Sequence, residues 1–258
     1  MEPIFDSHAH YDDAAFDADR QELLAALPEN GVCGAVNCGS DLPSSLASVQ
    51  LAAAYPFLYA AVGIHPECAK DAPPDALARL EKLLNAKKVV SVGEIGLDYH
   101  FKENAPREVQ RALFARQVRL ALDHRLPVVV HDREAHNDTM AILRRLHPTG
   151  VIHCFSGSVE MAREVLRLGM YIGIGGSVTF KNARVPVEVA RMVPEDRLLM
   201  ETDCPYMAPV PFRGKRNDST KIAYTAARVA EIRGTTPETI LRITRKNAET
   251  LFGIIEKR

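Results

Sequence analysis

Histidine and acidic side chains recur in this sequence directly after short apolar runs. The segment Phe5-Asp6-Ser7-His8-Ala9-His10 carries two histidines two positions apart, a spacing that places both rings on one side of a strand. Five later apolar runs also end in such residues, at His65, Glu94, His131, His153 and Asp203. Imidazole and carboxylate groups bind divalent cations, so the set predicts a metal centre.

A single histidine after a strand is more often a hydrogen-bonded structural residue than a metal ligand. Six runs that all end in a candidate ligand are a much stronger signal, provided that the fold brings those ends together. Four further histidines fall on predicted loops or helices, and we expect them to lie at the surface: His100, His124, His136 and His147.

The apolar runs themselves predict the fold. Amphipathic stretches with helical spacing, such as 107–124 and 159–168, lie between most of them, and this alternation predicts a parallel sheet buried on both faces. Eight runs in 258 residues predict a (β/α)₈ TIM barrel. The eight runs are 3–5, 31–36, 57–64, 88–92, 127–130, 150–152, 170–174 and 197–200. An open doubly wound sheet is the alternative, but no G-x-G-x-x-G follows the first run.

A barrel explains why ligands so distant in sequence would meet. The carboxyl end of every strand opens onto the same mouth, where barrel enzymes hold their active sites. No linker or change of composition divides the chain, so we expect one domain, 1–258. After the eighth run we expect an irregular loop, 204–218, followed by helices from residue 219 to the end.

Composition narrows the range of partners and compartments. A formal net charge of -1 offers no overall attraction for nucleic acid or an anionic membrane, so any phosphate site must be local. Five cysteines without a C-x-x-C pair are typical of free thiols in a reducing compartment. We therefore expect a cytoplasmic protein with no membrane anchor and no obligate protein partner.

Six segments together resemble the TatD-type metal-dependent deoxyribonucleases, a branch of the amidohydrolase-like TIM barrels. The segments are Ile4-Phe5-Asp6-Ser7-His8-Ala9-His10, Gly63-Ile64-His65-Pro66, Gly93-Glu94-Ile95-Gly96-Leu97-Asp98-Tyr99, Pro127-Val128-Val129-Val130-His131-Asp132-Arg133, His153-Cys154-Phe155-Ser156-Gly157 and Leu198-Leu199-Met200-Glu201-Thr202-Asp203-Cys204-Pro205. They span nearly the whole chain. One departure is Asp218-Ser219, where the family often has Glu-Pro, and it weakens inference about the shape of that loop.

The resemblance implies two divalent ions at the mouth. His8, His10 and Asp203 would hold one ion and His131 and His153 the other, with Glu94 bridging the two. The implied metal ligands are therefore His8, His10, Glu94, His131, His153 and Asp203. Oxygen and imidazole ligands suit Mg²⁺, Mn²⁺ or Zn²⁺, and the ligand types do not choose among these ions.

Further residues receive roles around the predicted ions. Asp203 is expected to accept the proton of the attacking water, and it forms the predicted catalytic pair with Glu94. His65 and Arg133 are the candidate phosphate binders. The alternative for Arg133 is an ion pair with Asp138 or Glu134.

Two carboxylates near the ligands could support them instead. Asp98 is expected to orient a ligand histidine, and capping of the following turn is the other interpretation. Glu201, two positions before Asp203, is expected either to support the ligands or to pack inside the barrel. Cys154 and Cys204 directly follow proposed ligands and are expected to be packing residues.

These features predict a metal-dependent phosphodiesterase, most specifically a 3′–5′ exodeoxyribonuclease acting on single-stranded or frayed DNA. Two loops with basic and aromatic residues, 180–184 and 212–216, could hold a strand weakly at the mouth. The alternative enzyme is an amide or ester hydrolase, acting on a cyclic amide or an aminoacyl-tRNA ester, because such a centre polarises a carbonyl equally well. A non-catalytic metal-carrying protein is the third hypothesis.

Overall fold

The computed structural model describes residues 2–254. Eight strands form one sheet in which each strand pairs in parallel with the next along the chain. The strands are β1 (Ile4–Ala9), β2 (Val32–Cys38), β3 (Leu58–Val62), β4 (Val89–Asp98), β5 (Val128–Arg133), β6 (Gly150–Ile152), β7 (Tyr171–Ile174) and β8 (Leu198–Met200).

Helices connect successive strands and complete the outer layer. Within residues 2–254 they are α1 (Arg20–Ala26), α2 (Leu42–Ala54), α3 (Ala76–Leu84), α4 (Arg107–Asp123), α5 (His136–Leu146), α6 (Val159–Arg167), α7 (Arg184–Met192), α8 (Ile222–Arg233) and α9 (Pro237–Leu251). Short 3₁₀ helices occupy Ala14–Phe16, Pro66–Cys68, Gly176–Thr179, Glu195–Arg197 and Ser219–Lys221. None of the described helices has both the length and the hydropathy of a membrane span.

The predicted (β/α)₈ barrel is confirmed, and each of the eight predicted runs overlaps one strand. The bounds differ most at β1, β4 and β5, each of which continues past its apolar run into polar residues. The apolar run ends where the candidate ligands begin, but the backbone hydrogen bonds between strands do not depend on side-chain polarity. The strands therefore continue into the polar residues. The segment 204–218 is irregular, and helices follow it as predicted; residue 1 and residues 255–258 lie outside the described part of the predicted domain.

Two apolar clusters stabilise this architecture. The larger one joins the strands to the surrounding helices, for example Ile95 and Val128 to Phe114. The smaller one takes residues from all eight strands and from the end of α9: Phe5, Val36, Cys38, Ala61, Val90, Val129, Val151, Tyr171, Leu199, Ala248, Leu251 and Phe252. Phe252 stacks on Phe5 at 6.5 Å between ring centroids, so α9 packs against the start of β1.

The barrel closes between β8 and β1 at the end where the candidate ligands lie. Ala9 and Cys204 form a parallel bridge there, and the backbone N–H of Asp203 donates to the carbonyl oxygen of His8 at 3.0 Å. The Ser7 hydroxyl donates to the Met200 carbonyl at 3.1 Å. Closure of the barrel therefore brings the histidines of β1 beside the acid that follows β8.

Candidate metal centre

Four candidate ligands from β1, β4 and the end of β8 converge on one point. The Nε2 atoms of His8 and His10 lie 2.9 Å apart. Each of them lies 3.3 Å from Oε2 of Glu94 and 3.5 Å from Oδ1 of Asp203. The donor atoms of His8, His10 and Asp203 lie close enough together to hold one cation, and Glu94 lies beside them.

The second oxygen of Glu94 faces a different group of imidazoles. Its Oε1 atom lies 2.7 Å from Nε2 of His153, 3.0 Å from Nδ1 of His131 and 3.4 Å from Nε2 of His65. The buried Glu94 carboxylate therefore stands between two sets of nitrogen atoms. His65, predicted as a phosphate binder, lies close enough to Glu94 and His131 to share a metal site with them.

Glycine at position 96 allows the close approach of β4 and β5 that this geometry needs. Gly96 has φ of 150°, and a Cβ atom at that position would overlap the carbonyl of His131. The pairing of β4 with β5 also shifts register between Val92 and Ile95, around Glu94. Such irregularities redirect side chains next to active sites. The sequence shows Gly96 but not the contact that requires it.

Asp6 is a residue to which the sequence assigned no role, although it begins the D-x-H-x-H pattern. Its buried carboxylate accepts hydrogen bonds from the backbone N–H groups of His8 and Thr202 and from the hydroxyls of Thr202 and Ser219. Burial raises the pKa of Asp6 to about 6 despite these bonds. One side chain thus joins the strand of His8 to the segment that carries Asp203.

Asp98 makes the contacts that both of its predicted roles need. Its Oδ2 atom lies 3.1 Å from Nε2 of His131, and its Oδ1 atom accepts hydrogen bonds from the backbone N–H groups of His100 and Phe101. The contact fixes the orientation of the His131 ring, and a carboxylate in this position increases the basicity of a ligand imidazole.

Glu201 supports the backbone beside His153. Its Oε1 atom accepts a hydrogen bond from the N–H of Cys154, which adopts a left-handed conformation with φ of 43°. Burial raises the pKa of Glu201 to about 8. The carboxyl group packs directly over Gly173, where a Cβ atom would overlap it. Glu201 therefore packs inside the barrel and supports the segment of His153 at the same time.

The electrostatics of the cluster favour a positive charge at its centre. Burial opposes ionisation, but neighbouring imidazoles keep the pKa of Glu94 well below its usual value and lower the pKa of Asp203. Burial would lower the pKa of His131, yet Asp98 and Glu94 raise it to about 10. Protons can supply that charge, and a divalent cation bound to neutral imidazoles can replace them.

The environment of His8 favours its neutral form, and the rings of His8 and His153 hold each other in a fixed position. Burial, together with the nearby His153, lowers the pKa of His8 to about 4. The rings of His8 and His153 stack at 3.9 Å between centroids, and their Nδ1 atoms have no hydrogen-bond partner among residues 2–254. Stacking therefore sets the orientation of these rings. The donor set and its charge fit divalent metal ions.

A cleft of about 520 Å³ opens above the cluster. Arg133 lines this cleft, with its guanidinium 4.8 Å from the ring centroid of Phe101, and Tyr206 lines it too. The alternative ion pair for Arg133 does not form, because Asp138 bonds Tyr99 and Arg111 while Glu134 bonds His100. Arg133 thus keeps its charge available at the cleft.

The two predicted basic loops contact each other. The guanidinium of Arg213 lies 4.1 Å from the ring centroid of Phe180. Arg216 instead forms a bidentate ion pair with Asp19, at 2.7 and 2.6 Å, so its charge is compensated. Only part of the basic character predicted for these loops is available to a ligand.

The remaining histidines and the cysteines stay outside the cluster, as predicted. His100, His124 and His136 contact carboxylates away from the cleft, and His147 ends α5. All five cysteines are free thiols. Cys204 is fully buried, whereas Cys154 is partly exposed beside His153.

Comparison with known proteins adds the family. The model of the TatD-related DNase family matches residues 5–253. The chain belongs to the TatD family. The resemblance that the motifs predicted is thereby confirmed, and so is the enzyme class, because TatD proteins are metal-dependent hydrolases.

Relatives in the TatD family match this chain over almost its whole length. It is 41% identical to the uncharacterized metal-dependent hydrolase YabD of Bacillus subtilis, covering 97% of this chain and 99% of YabD. It is 32% identical to the 3′-5′ ssDNA/RNA exonuclease TatD of Klebsiella pneumoniae, covering 97% and 98%. The crystal structure of YJJV, a TatD homologue of Escherichia coli, superposes with a TM-score of 0.92 at 32% identity, covering 98% of each chain.

Proposed function

We propose that this TatD protein is a 3′–5′ exonuclease that hydrolyses phosphodiester bonds at the ends of single-stranded or frayed DNA. The observation that carries the proposal is the imidazole and carboxylate cluster at the base of a cleft whose wall bears Arg133. Relatives named as 3′-5′ ssDNA/RNA exonucleases support the polarity and the substrate class. We propose that the activity resides in one domain, 1–258, and the cytoplasm stays the predicted compartment.

The proposed cofactors are two divalent metal ions, Mg²⁺, Mn²⁺ or Zn²⁺. His8, His10 and Asp203 would hold one ion, His131 and His153 the other, and Glu94 would contribute one oxygen to each. The contacts of the two Glu94 oxygens with separate sets of nitrogen atoms support this division. When bound, such ions supply Lewis acidity toward a phosphodiester and lower the pKa of water.

Asp203 is the proposed general base. The low pKa of its carboxyl group, held down against burial by His10 and His8, keeps it ionised at neutral pH. Asp203 lies at the floor of the cleft and is only partly buried, so its carboxylate is accessible to an attacking water. A carboxylate at that position can take the proton that the water loses.

Arg133 and His65 are the proposed phosphate contacts. Arg133 presents a planar fork of N–H donors that matches phosphate oxygens, and stacking on Phe101 holds the guanidinium in place. His65 lines the same cleft from the end of β3. The exposed Tyr206 and the half-buried Phe101 add aromatic surface on which bases can stack. With so few cations, binding should be weak and sensitive to salt.

A substrate panel tests the proposal. The substrates are a 5′-labelled single-stranded oligonucleotide, the same strand with a blocked 3′ end, a p-nitrophenyl phosphodiester and a dihydropyrimidine. Each is incubated with Mg²⁺, Mn²⁺, Zn²⁺ or EDTA. We expect a ladder that shortens from the free 3′ end, that requires a metal ion and that the block prevents.

Three outcomes of the panel would contradict the proposal. Turnover confined to the dihydropyrimidine would indicate an amide hydrolase. Cleavage of the blocked strand at the same rate would remove the 3′–5′ assignment. Absence of turnover with every metal would favour a non-catalytic metal protein.

A further inference from the structure

A basic groove runs along the outside of the barrel between α4 and α5. Arg111, Arg116 and Arg119 of α4 and Arg145 of α5 line it, and Asp138 is its only acidic lining residue. Its floor consists mainly of alanine side chains, and its volume is about 690 Å³. Small floor residues let an extended chain lie close to the helices.

Most of the arginine charge in this groove is uncompensated. Arg111 approaches Asp138 at 3.3 Å, but no carboxylate within residues 2–254 forms an ion pair with Arg116, Arg119 or Arg145. All three side chains are exposed. The chain as a whole carries 32 basic and 33 acidic residues, so a groove with four cations and one anion departs strongly from the overall balance.

One end of the groove lies near the mouth of the barrel, because α5 begins directly after the carboxyl end of β5. Its upper end is Asp138, which accepts a hydrogen bond from the Tyr99 hydroxyl at 2.7 Å. Tyr99 directly follows Asp98, which contacts His131 of the cluster. Arg107, at the first turn of α4, stacks over the Tyr99 ring at 4.3 Å. Contacts between neighbouring residues thus connect the metal centre to the arginines.

The length of the groove suits several nucleotides. Helix α4 runs away from the mouth, and the step from Arg111 to Arg119 along the groove corresponds to roughly 12 Å at 1.5 Å per residue. At the 3.4 Å spacing of phosphates along one stacked strand, that distance matches about three to four phosphates. A strand whose end lies in the cleft would therefore need several further nucleotides to follow the groove.

We propose that the α4–α5 groove binds the phosphate backbone of the nucleic-acid strand beyond the end that the cleft holds. The inference rests on the proposed nuclease function for the direction from which the strand arrives. Arginine forks offer the charge and the geometry for phosphate oxygens, and the groove lacks aromatic side chains. It would therefore bind the backbone without base preference and increase the affinity for long substrates.

Salt-dependent binding tests the groove separately from cleavage. The probe is a fluorescein-labelled 30-nucleotide oligothymidylate with phosphorothioate linkages at its 3′ end, titrated with metal-loaded protein and followed by anisotropy. The test variant combines Arg116→Gln, Arg119→Gln and Arg145→Gln. The control combines Arg163→Gln, Arg242→Gln and Lys246→Gln, three exposed cations on α6 and α9. Both triple variants change the net charge equally.

We expect the groove variant, and not the control variant, to bind the oligonucleotide more weakly and with a smaller dependence on salt. Loss of three phosphate contacts should reduce the slope of log K against log[NaCl] by about 2, at about 0.7 per contact for single strands. In turnover assays its KM for the 30-mer should rise while its KM for a trinucleotide and its kcat stay unchanged. If the triple variant unfolds, each single variant should still reduce the slope by about 0.7.

Equal slopes and equal KM values for the two triple variants would overturn the groove proposal. A polyglutamate peptide that binds wild type and loses binding only in the groove variant, with oligonucleotide binding unchanged, would assign the groove to an acidic protein instead. Groove-dependent binding of an oligonucleotide that the enzyme never cleaves would retain the groove and refute the nuclease function. Cleavage of the 30-mer with the same KM in the groove variant and in wild type would retain the nuclease function and refute the groove proposal.

Discussion

The two ends of the barrel interior are filled in opposite ways. Toward the amino ends of the strands, apolar side chains such as Phe5, Val90, Val129 and Tyr171 pack in one cluster with Leu251 at the end of α9 and with Phe252 directly after it. Toward the carboxyl ends, buried imidazoles and carboxylates replace them. Burial of a large apolar side chain contributes about 1.5–3 kcal/mol, whereas a buried charge costs free energy unless it is paired. The amino end thus stabilises the fold, and the carboxyl end is built for a ligand.

The same contrast explains why a cation matters at only one end. Glu94 and Asp203 stay ionised because imidazoles surround them, so the site without metal depends on protons for its balance of charge. A divalent ion that binds the folded site and not the unfolded chain would add its binding free energy to stability. Among the described residues, the apolar cluster contains no imidazole or carboxylate.

The largest effect should follow from Asp203→Asn. The amide keeps an oxygen that can contact a cation but cannot accept a proton, so kcat should fall by about 10³-fold or more. Steady-state kinetics and metal analysis of the purified variant measure this. The matched control is Asp196→Asn, an exposed site before β8. Near-normal turnover of Asp203→Asn would refute its role as the base.

The next effect belongs to the apolar end. Phe252→Ala removes a buried ring that stacks on Phe5, so the free energy of unfolding should fall by about 3 kcal/mol. Chemical denaturation measures the change, and kcat of the folded fraction should stay at the wild-type value. Phe252→Leu, which keeps most of the volume, should lose less. A drop in kcat without loss of stability would break the separation of the two ends.

A smaller effect should follow from Asp98→Asn. The amide oxygen can still cap the turn at His100, but the negative charge beside His131 disappears. Affinity for metal should fall by about 10- to 100-fold, as is usual when a carboxylate that orients a ligand histidine is removed. Titration with Mn²⁺ measures it. Asp132→Asn, which contacts His136 and Thr139 outside the cluster, should bind metal normally.

The smallest effect is expected at the rim of the cleft. Arg133→Gln should raise KM for an oligonucleotide by about tenfold, equivalent to about 1.4 kcal/mol, and leave kcat and metal content unchanged. The KM of Arg133→Lys should lie between those of Arg133→Gln and wild type, because lysine keeps the charge and loses the planar set of N–H donors. An unchanged KM in Arg133→Gln would exclude the phosphate contact.

The sequence predicted the barrel and the convergence of its candidate ligands because both follow from local patterns. Apolar runs mark the strands, and a residue directly after a run must lie at the carboxyl end of its strand. The extent of β4 to Asp98 was not predicted, because the polar residues within it interrupt the apolar pattern.

Contacts between distant segments carry no such signal. The bond from Ser219 to Asp6 spans 213 positions, and neither residue alone indicates it. The same holds for the Glu201 bond to Cys154 and for the row of arginines that α4 and α5 bring together. His65 lies beside Glu94 and not only at the rim of the cleft. Its position depends on how β3 pairs with β4, where the register shifts between Ala60 and Ala61.

Titration of the metal-free protein with Mn²⁺ tests the central claim most directly. Wild type should bind two ions per chain. The double variant His8→Ala and His10→Ala should bind one ion, because His131, His153 and Glu94 remain. Absence of saturable binding in wild type, or retention of two ions in the double variant, would contradict a centre built from these side chains.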